Sequence, residues 1–268
     1  MHINTFDHYQ TRESLIHSLD PRVKVVVTIL FILSNVLLLD GAWLALGLSW
    51  GLLLLSSVLA RLRLVFLITR SWVALPFALA AVTVIFSTPG DALTRIGVGS
   101  WLLTVTDAGF VRFLSILLRS WLSVQMAILL TATTQFPDLI HALRHLRVPK
   151  IIVSTISFMY RYLFVLSDEA MRLMRARTAR SAQALSQNSR PGGSVRWRAK
   201  VAGGMSGQLF LRSYERSERV YNAMLSRGYR GEYLTLNPHD MRWVDWAVAS
   251  VALLTLLLIQ IVGHLLTY

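Results

Sequence analysis

The 268-residue sequence contains no cysteine. Disulfides, iron–sulfur clusters and thiolate metal sites are therefore excluded. Charge is also scarce, at 15% of residues against about 25% in ordinary globular chains. A P-loop needs glycines followed by Lys and then Ser or Thr. Here Lys24, Lys150 and Lys200 precede Val25, Ile151 and Val201, so no P-loop can form. Gly97-Val98-Gly99 lacks the third glycine of a dinucleotide loop, and neither His-Glu-x-x-His nor Gly-x-Ser-x-Gly occurs. Paired carboxylates are missing from the apolar runs, which removes the usual proton relay. The chain is expected to catalyse nothing and to need no cofactor.

What remains is apolar and basic. Apolar residues make up 54%, and 27 Lys and Arg stand against 14 Asp and Glu. A bilayer-crossing helix needs about 20 predominantly apolar residues, with about 17 as a minimum. Five segments qualify, over 23–39, 42–60, 64–86, 107–134 and 244–266. A sixth run, 151–167, contains Arg161 and is flanked by basic clusters. It is expected as a helix buried against the bundle from the cytoplasmic side. The first 22 residues are polar, without the short charged region and cleavage site of a secretory signal, so the first run is expected to stay as a span.

Charge placement orients these spans. Residues 135–242 hold 18 basic and 7 acidic residues, a net of +11, and the positive-inside rule places them in the cytoplasm. The amino terminus then lies inside, the 87–106 loop outside, and the carboxyl terminus outside. Pro89-Gly90 and Gly97-Val98-Gly99 mark tight turns in that loop, compatible with a short hairpin. The expected fold is an all-α membrane protein of about five transmembrane helices, within a range of four to six, plus two long cytoplasmic helices. Its parts are a four-span bundle over 1–134, a cytoplasmic segment over 135–242 and a last span over 243–268.

The basic segment reads as two helical arms, 149–186 and 195–226, separated by a break at Ser189-Arg190-Pro191-Gly192-Gly193. Glu215 and Arg219 stand four apart in the second arm, the favourable order for an ion pair. Each arm ends at a small-flanked arginine: Ala179-Arg180-Ser181 in the first, Ser226-Arg227-Gly228 in the second. Gly228 also suits a helix C-cap. Arginine offers five donors in a planar fork, matched to carboxylates and carbonyls in a partner's groove. Other basic residues serve mainly to set topology or to attract anionic lipid.

The histidines are weighed against metal binding. His141 and His145 are four apart but have no third ligand near in sequence, so interfacial packing is the better reading. Arg70 and Arg112 are expected to snorkel to opposite interfaces, and Arg119 to bond backbone or serine groups.

Three stretches carry a family resemblance. His17-Ser18-Leu19-Asp20-Pro21-Arg22-Val23-Lys24 opens the first span, and Thr134-Gln135-Phe136-Pro137-Asp138-Leu139 leads towards Val148-Pro149. Tyr221-Asn222-Ala223-Met224-Leu225-Ser226-Arg227-Gly228-Tyr229 closes the second arm. Together they resemble the transmembrane coupling (T) component of energy-coupling-factor transporters, in the branch of the cobalt-transport permeases CbiQ. The resemblance implies two coupling helices whose Ala-Arg-Ser or Ala-Arg-Gly motifs enter grooves of two ABC-type ATPase subunits. By position these are Ala179, Arg180 and Ser181, and Ser226, Arg227 and Gly228, with serine where alanine is common.

It further implies a membrane substrate-capture subunit, room for a small accessory membrane subunit, and a location in the bacterial cytoplasmic membrane. Cobalt ion is the implied substrate, with nickel or a vitamin as alternatives. A membrane-anchored enzyme or a nucleic-acid binder is the reading from a different class. Sparse aromatics among the basic residues (Trp197, Tyr214, Tyr221, Tyr229) weigh against nucleic acid.

Overall fold

The computed structural model describes residues 9–10, 12, 14–98, 101–180, 194–231 and 241–266, with the backbone alone over 92–98 and 101–105. The chain divides into two compact units, Met1–Leu146 with Asn237–Tyr268, and Arg147–Leu236.

The first unit is a helical bundle. Helix α1 (Pro21–Leu37) begins where the Asp20 carboxylate accepts the Arg22 N–H at 2.8 Å. Pro21 follows in the first turn, where its missing N–H leaves no bond unmade. Helix α2 (Trp43–Leu59) returns after a turn at Gly41, whose φ of 86° suits glycine.

The third expected span is not one straight helix. It consists of α3 (Leu64–Arg70), a 3₁₀ turn (Ser71–Ala74) and α4 (Leu75–Ser87). Pro76 causes the break, because it has no N–H for the carbonyl of Trp72 and its ring crowds that group. The Ser71 hydroxyl donates to the Leu67 carbonyl at 2.7 Å and accepts from Gln125 Nε2 at 3.3 Å. The break is thereby tied to helix α5 (Asp107–Thr133).

Between α4 and α5, strands β1 (Ala92–Val98) and β2 (Trp101–Thr106) form an antiparallel hairpin, in one register from Thr94↔Val105 to Val98↔Trp101, with a shift between Thr94 and the Ala92↔Thr106 pair. Thr106 then caps α5, accepting the Gly109 N–H at 3.2 Å while donating to the Thr88 carbonyl at 2.9 Å. Helix α6 (Phe136–His145) and helix α9 (Trp243–Leu265) complete the unit.

Close approach of α4 and α5 depends on Gly109. A Cβ there would lie 2.6 Å from the Ile85 carbonyl oxygen and 2.7 Å from Thr106 Oγ1. The backbone oxygen cannot step aside, so Gly109→Ala must spread the two helices. We expect a loss of about 1–3 kcal/mol, the usual range for overpacking, read as a lowered thermal midpoint in detergent. An unchanged midpoint would refute the tight packing.

Burial is inverted relative to a water-soluble domain. Phe31, Leu53, Leu67 and Leu122 form a narrow fully buried core, whereas Val73 in the 3₁₀ turn, Leu79 on α4 and Leu254 on α9 face outward at 66–69% exposure. Serines accompany the core, and Ser49, Ser57 and Ser115 each donate to the carbonyl four residues back. A hydroxyl satisfied within its own helix can be buried in lipid or protein at little cost. Among the described residues, four helical stretches are long and apolar enough to cross a membrane: Leu64–Ser87, Asp107–Thr133, Lys150–Arg180 and Trp243–Leu265. Helix α2 is apolar but shorter, at 17 residues, or about 25 Å. The protein is a multi-pass, all-helical membrane protein apart from its one hairpin.

The second unit contains helix α7 (Lys150–Arg180) and helix α8 (Val195–Ser226). The run over 151–167 falls within the first arm expected over 149–186. That run is the first half of one unbroken 31-residue helix in which Val153 and Ser154 are the buried positions. Its apolar composition and the polar arm that follows share continuous helical geometry, because no proline or glycine intervenes.

Candidate functional site: two arginine-tipped helix ends and a buried polar clasp

Helices α7 and α8 run antiparallel, as three contacts along their length fix. The Phe158 and Tyr229 rings meet edge to face at 6.4 Å, Arg212 pairs with Glu169 at 2.7 Å, and the Arg177 guanidinium lies 6.0 Å from the Trp197 ring. Glu169 also binds Arg172, one turn on. It thus takes the bridging role expected of Glu215 with Arg219, which form no pair among the described residues. The reason is geometric: Glu169 faces the neighbouring helix and gathers two guanidiniums, whereas a pair within one exposed helix gains only a few tenths of a kcal/mol.

This antiparallel arrangement separates the two arginine motifs. Ala179 and Arg180 close α7, both exposed, at the end where α8 begins. Ser226 is the last residue of α8, and Arg227 is its C-cap, at the end beside Phe158. From Phe158 to Arg180 the helix advances by roughly 33 Å at 1.5 Å per residue. The motifs therefore cannot serve one common pocket. Ser181, and the break over 189–193, lie outside the described residues.

The second motif has a defined backbone. Gly228 N–H donates to the Leu225 carbonyl at 2.9 Å and Tyr229 N–H to the Met224 carbonyl at 3.0 Å, the two bonds of a Schellman cap. Gly228 stands at φ 81°, which carries a penalty of about 1–2 kcal/mol for any residue with a Cβ. Gly228→Ala is expected to fray the last turn and to release the Tyr229 amide for hydrogen exchange. Retained protection at Tyr229 would contradict this. Arg227 is exposed at this capped end, and Ser226 Oγ donates back to the Asn222 carbonyl at 3.0 Å.

A second polar cluster lies in the first unit and was not visible in the sequence. Asp245, in the first turn of α9 and 4% exposed, accepts the N–H of Arg242 at 2.8 Å and that of Asp20 at 2.9 Å. Lys24 donates to the carbonyls of His17 and Thr133 at 3.1 and 3.3 Å. Asp138, Asp20 and Asp245 lie within electrostatic reach of its ammonium. One clasp thus joins the segment before α1, α1 itself, the end of α5 and the start of α9. His17 sits at its edge, bonded to Ser14 Oγ at 2.7 Å and to the Gln10 carbonyl at 3.1 Å. Burial, and then the charge of Lys24, lower its pKa, so the neutral ring is favoured.

At the other end of α1, Asp40 answers two of the intramembrane arginines. Its carboxylate lies 3.0 Å from Arg119 Nη2 and 3.6 Å from Arg112 Nε. This corrects the expectation that Arg119 bonds serine or backbone. Ser115, between them on the same face of α5, accepts the Gly41 N–H instead, which brings Asp40 to both arginines. Arg70 stacks 4.6 Å above the Phe66 ring. The His141 and His145 rings lie 4.6 Å apart, and among the described residues no third metal-binding side chain joins them.

Comparison with known proteins agrees with this architecture. A family model described as "Cobalt transport protein", CbiQ, matches residues 12–237. The energy-coupling factor transporter transmembrane protein EcfT of Brevibacillus brevis is 30% identical over 264 residues, covering 94% of this chain and 95% of the relative. The cobalt transport protein CbiQ of Salmonella typhimurium is 29% identical over 168 residues, covering 60% of this chain and 71% of its own length. A nickel permease, LarQ, of Lactiplantibacillus plantarum is 26% identical over 171 residues, covering 60% and 59%.

Proposed function

The chain belongs to the CbiQ family of cobalt transport proteins, and from that premise we propose that it is the non-catalytic coupling subunit of an ATP-driven energy-coupling-factor importer. One observation carries the reading: two exposed arginines, Arg180 and Arg227, stand at opposite ends of the described antiparallel helix pair. A subunit gripped by two ATPases needs two such ends, far enough apart for each to enter its own groove. Ala179, Arg180 and Ser181 would meet one ATPase, and Ser226, Arg227 and Gly228 the other. Closure of the ATPases on nucleotide would move the two helix ends, and the arms would pass that motion to a membrane subunit that captures the substrate.

Cobalt ion is the proposed substrate, because the family and one close relative carry that name. Nickel is the second reading, favoured by the similarity to a nickel permease. The cargo would be held by the capture subunit and not by this chain. The positive-inside rule places the amino terminus and both arms in the cytoplasm of a bacterial cell.

Co-expression with the two ATPases tests the central step. The tagged chain is expected to retain two ATPase copies per chain through purification. Recovery of the chain with no ATPase, or with nucleic acid that survives high salt, would overturn it.

A further inference from the structure

Two grooves lie between α7 and α8, and they run into one another. The first, of about 1010 Å³, is lined by Arg161, Arg227 and Arg230 with Tyr162 and Tyr229, and among the described residues no acidic side chain lines it. The second, of about 710 Å³, is walled by apolar side chains, among them Met159, Leu166 and Phe210. Phe158, Tyr162, Val220 and Met224 border both. On the rim of the second, Arg216 and Glu218 offset each other in charge. A cationic compartment of headgroup size therefore opens directly into an apolar trough.

We infer that this double groove binds one anionic phospholipid, with its phosphate between Arg161 and Arg230 and an acyl chain along Met159, Leu166 and Phe210. The charge selects an anion, since guanidinium forks bind phosphate oxygens in pairs of charge-assisted bonds. The apolar continuation selects an amphiphile over a free anion, because apolar surface is stabilised by leaving water. Access is available too. Helix α8 has no buried residue, Phe210 is 67% exposed, and α7 is long and apolar enough to reach into a bilayer. Basic pockets between helices at a cytoplasmic membrane face commonly take such headgroups. A bound lipid would fill the trough that the two loosely joined arms leave between them.

The test is native mass spectrometry of the full chain in detergent, with palmitoyl-oleoyl phosphatidylglycerol, phosphatidylcholine of the same chains, or inorganic phosphate. One phosphatidylglycerol per chain is expected, held about tenfold more tightly than phosphatidylcholine. Arg161→Gln with Arg230→Gln should weaken it about tenfold, and Phe210→Glu should weaken it without touching the cationic end. Arg161→Lys with Arg230→Lys should keep most of it, and Arg172→Gln, outside the groove, should keep all of it. Circular dichroism confirms that each variant is folded.

Equal retention of both lipids, or of phosphatidylglycerol by wild type and the double Gln variant, would overturn the site. Inorganic phosphate that displaces the lipid would reduce it to an anion site, and a protein segment filling the trough with no lipid retained would replace it. ATPase co-purification of the double Gln variant separates this site from the coupling role, which rests on Arg180 and Arg227.

Discussion

Arg180→Glu combined with Arg227→Glu is expected to abolish substrate uptake and ATPase binding while the chain still enters the membrane in normal amount. Each reversal removes a charge-assisted contact and puts a carboxylate in a groove shaped for a guanidinium. Loss of one partner from such a pair costs about 2–5 kcal/mol, so each reversal weakens its own ATPase contact by about thirtyfold or more. Folding should be spared, because Arg180 and Arg227 are exposed at helix ends and line no part of the core. The single variants are more diagnostic. Since the motifs sit at opposite ends of the α7–α8 pair, each reversal should release one ATPase and leave a complex of one chain with one ATPase. Radiolabelled cobalt uptake and the mass of the purified complex read both effects. Normal uptake by the double variant would sink the proposal, and loss of both ATPases in either single variant would show that the two ends do not act separately.

The arms were legible because their signals are local. The second arm was expected over 195–226, and α8 spans those residues, opened by the Ser194 hydroxyl accepting the Trp197 N–H and closed by glycine at C′. The first was expected to 186, and α7 is described to Arg180. The membrane character was legible too, since long apolar runs with flanking charge suit little else. Pro76 stands in the middle of the third run, but nothing local says that a 3₁₀ turn would absorb it.

What escaped was non-local. Asp40 faces Arg119 only because Gly41 and Ser115 fix the turn against α5. Gln125 reaches Ser71 across 54 positions, and Asp20 reaches Asp245 across 225. No periodicity or spacing encodes such partners. A buried carboxylate at the start of a span is the one available hint, since it must find donors somewhere. Asp245, two residues into the last apolar run, was that hint.

Asp245→Ala is therefore the second change with a large expected effect. The carboxylate accepts two backbone N–H groups, one from its own helix cap and one from the residue that opens α1. Removing it leaves the Asp20 donor buried and unpaired, at about 1–3 kcal/mol, and strips the part-buried Arg242 donor of its cap bond, at about 1 kcal/mol. It also leaves the Lys24 ammonium with one counter-charge fewer in a region shielded from water. A total of roughly 3 kcal/mol or more follows, enough to lower the thermal midpoint of the purified protein by several degrees. Asp245→Asn should fall between wild type and Asp245→Ala, because an amide oxygen can accept one of the two bonds while its NH₂ faces the other donor. Adding Lys24→Met to Asp245→Ala should recover part of the loss, as the uncompensated charge disappears with it. If Asp245→Ala unfolds within a degree of wild type, the clasp contributes nothing. If Lys24→Met deepens the loss, the lysine is held by the His17 and Thr133 carbonyls alone, and the carboxylates do not balance it.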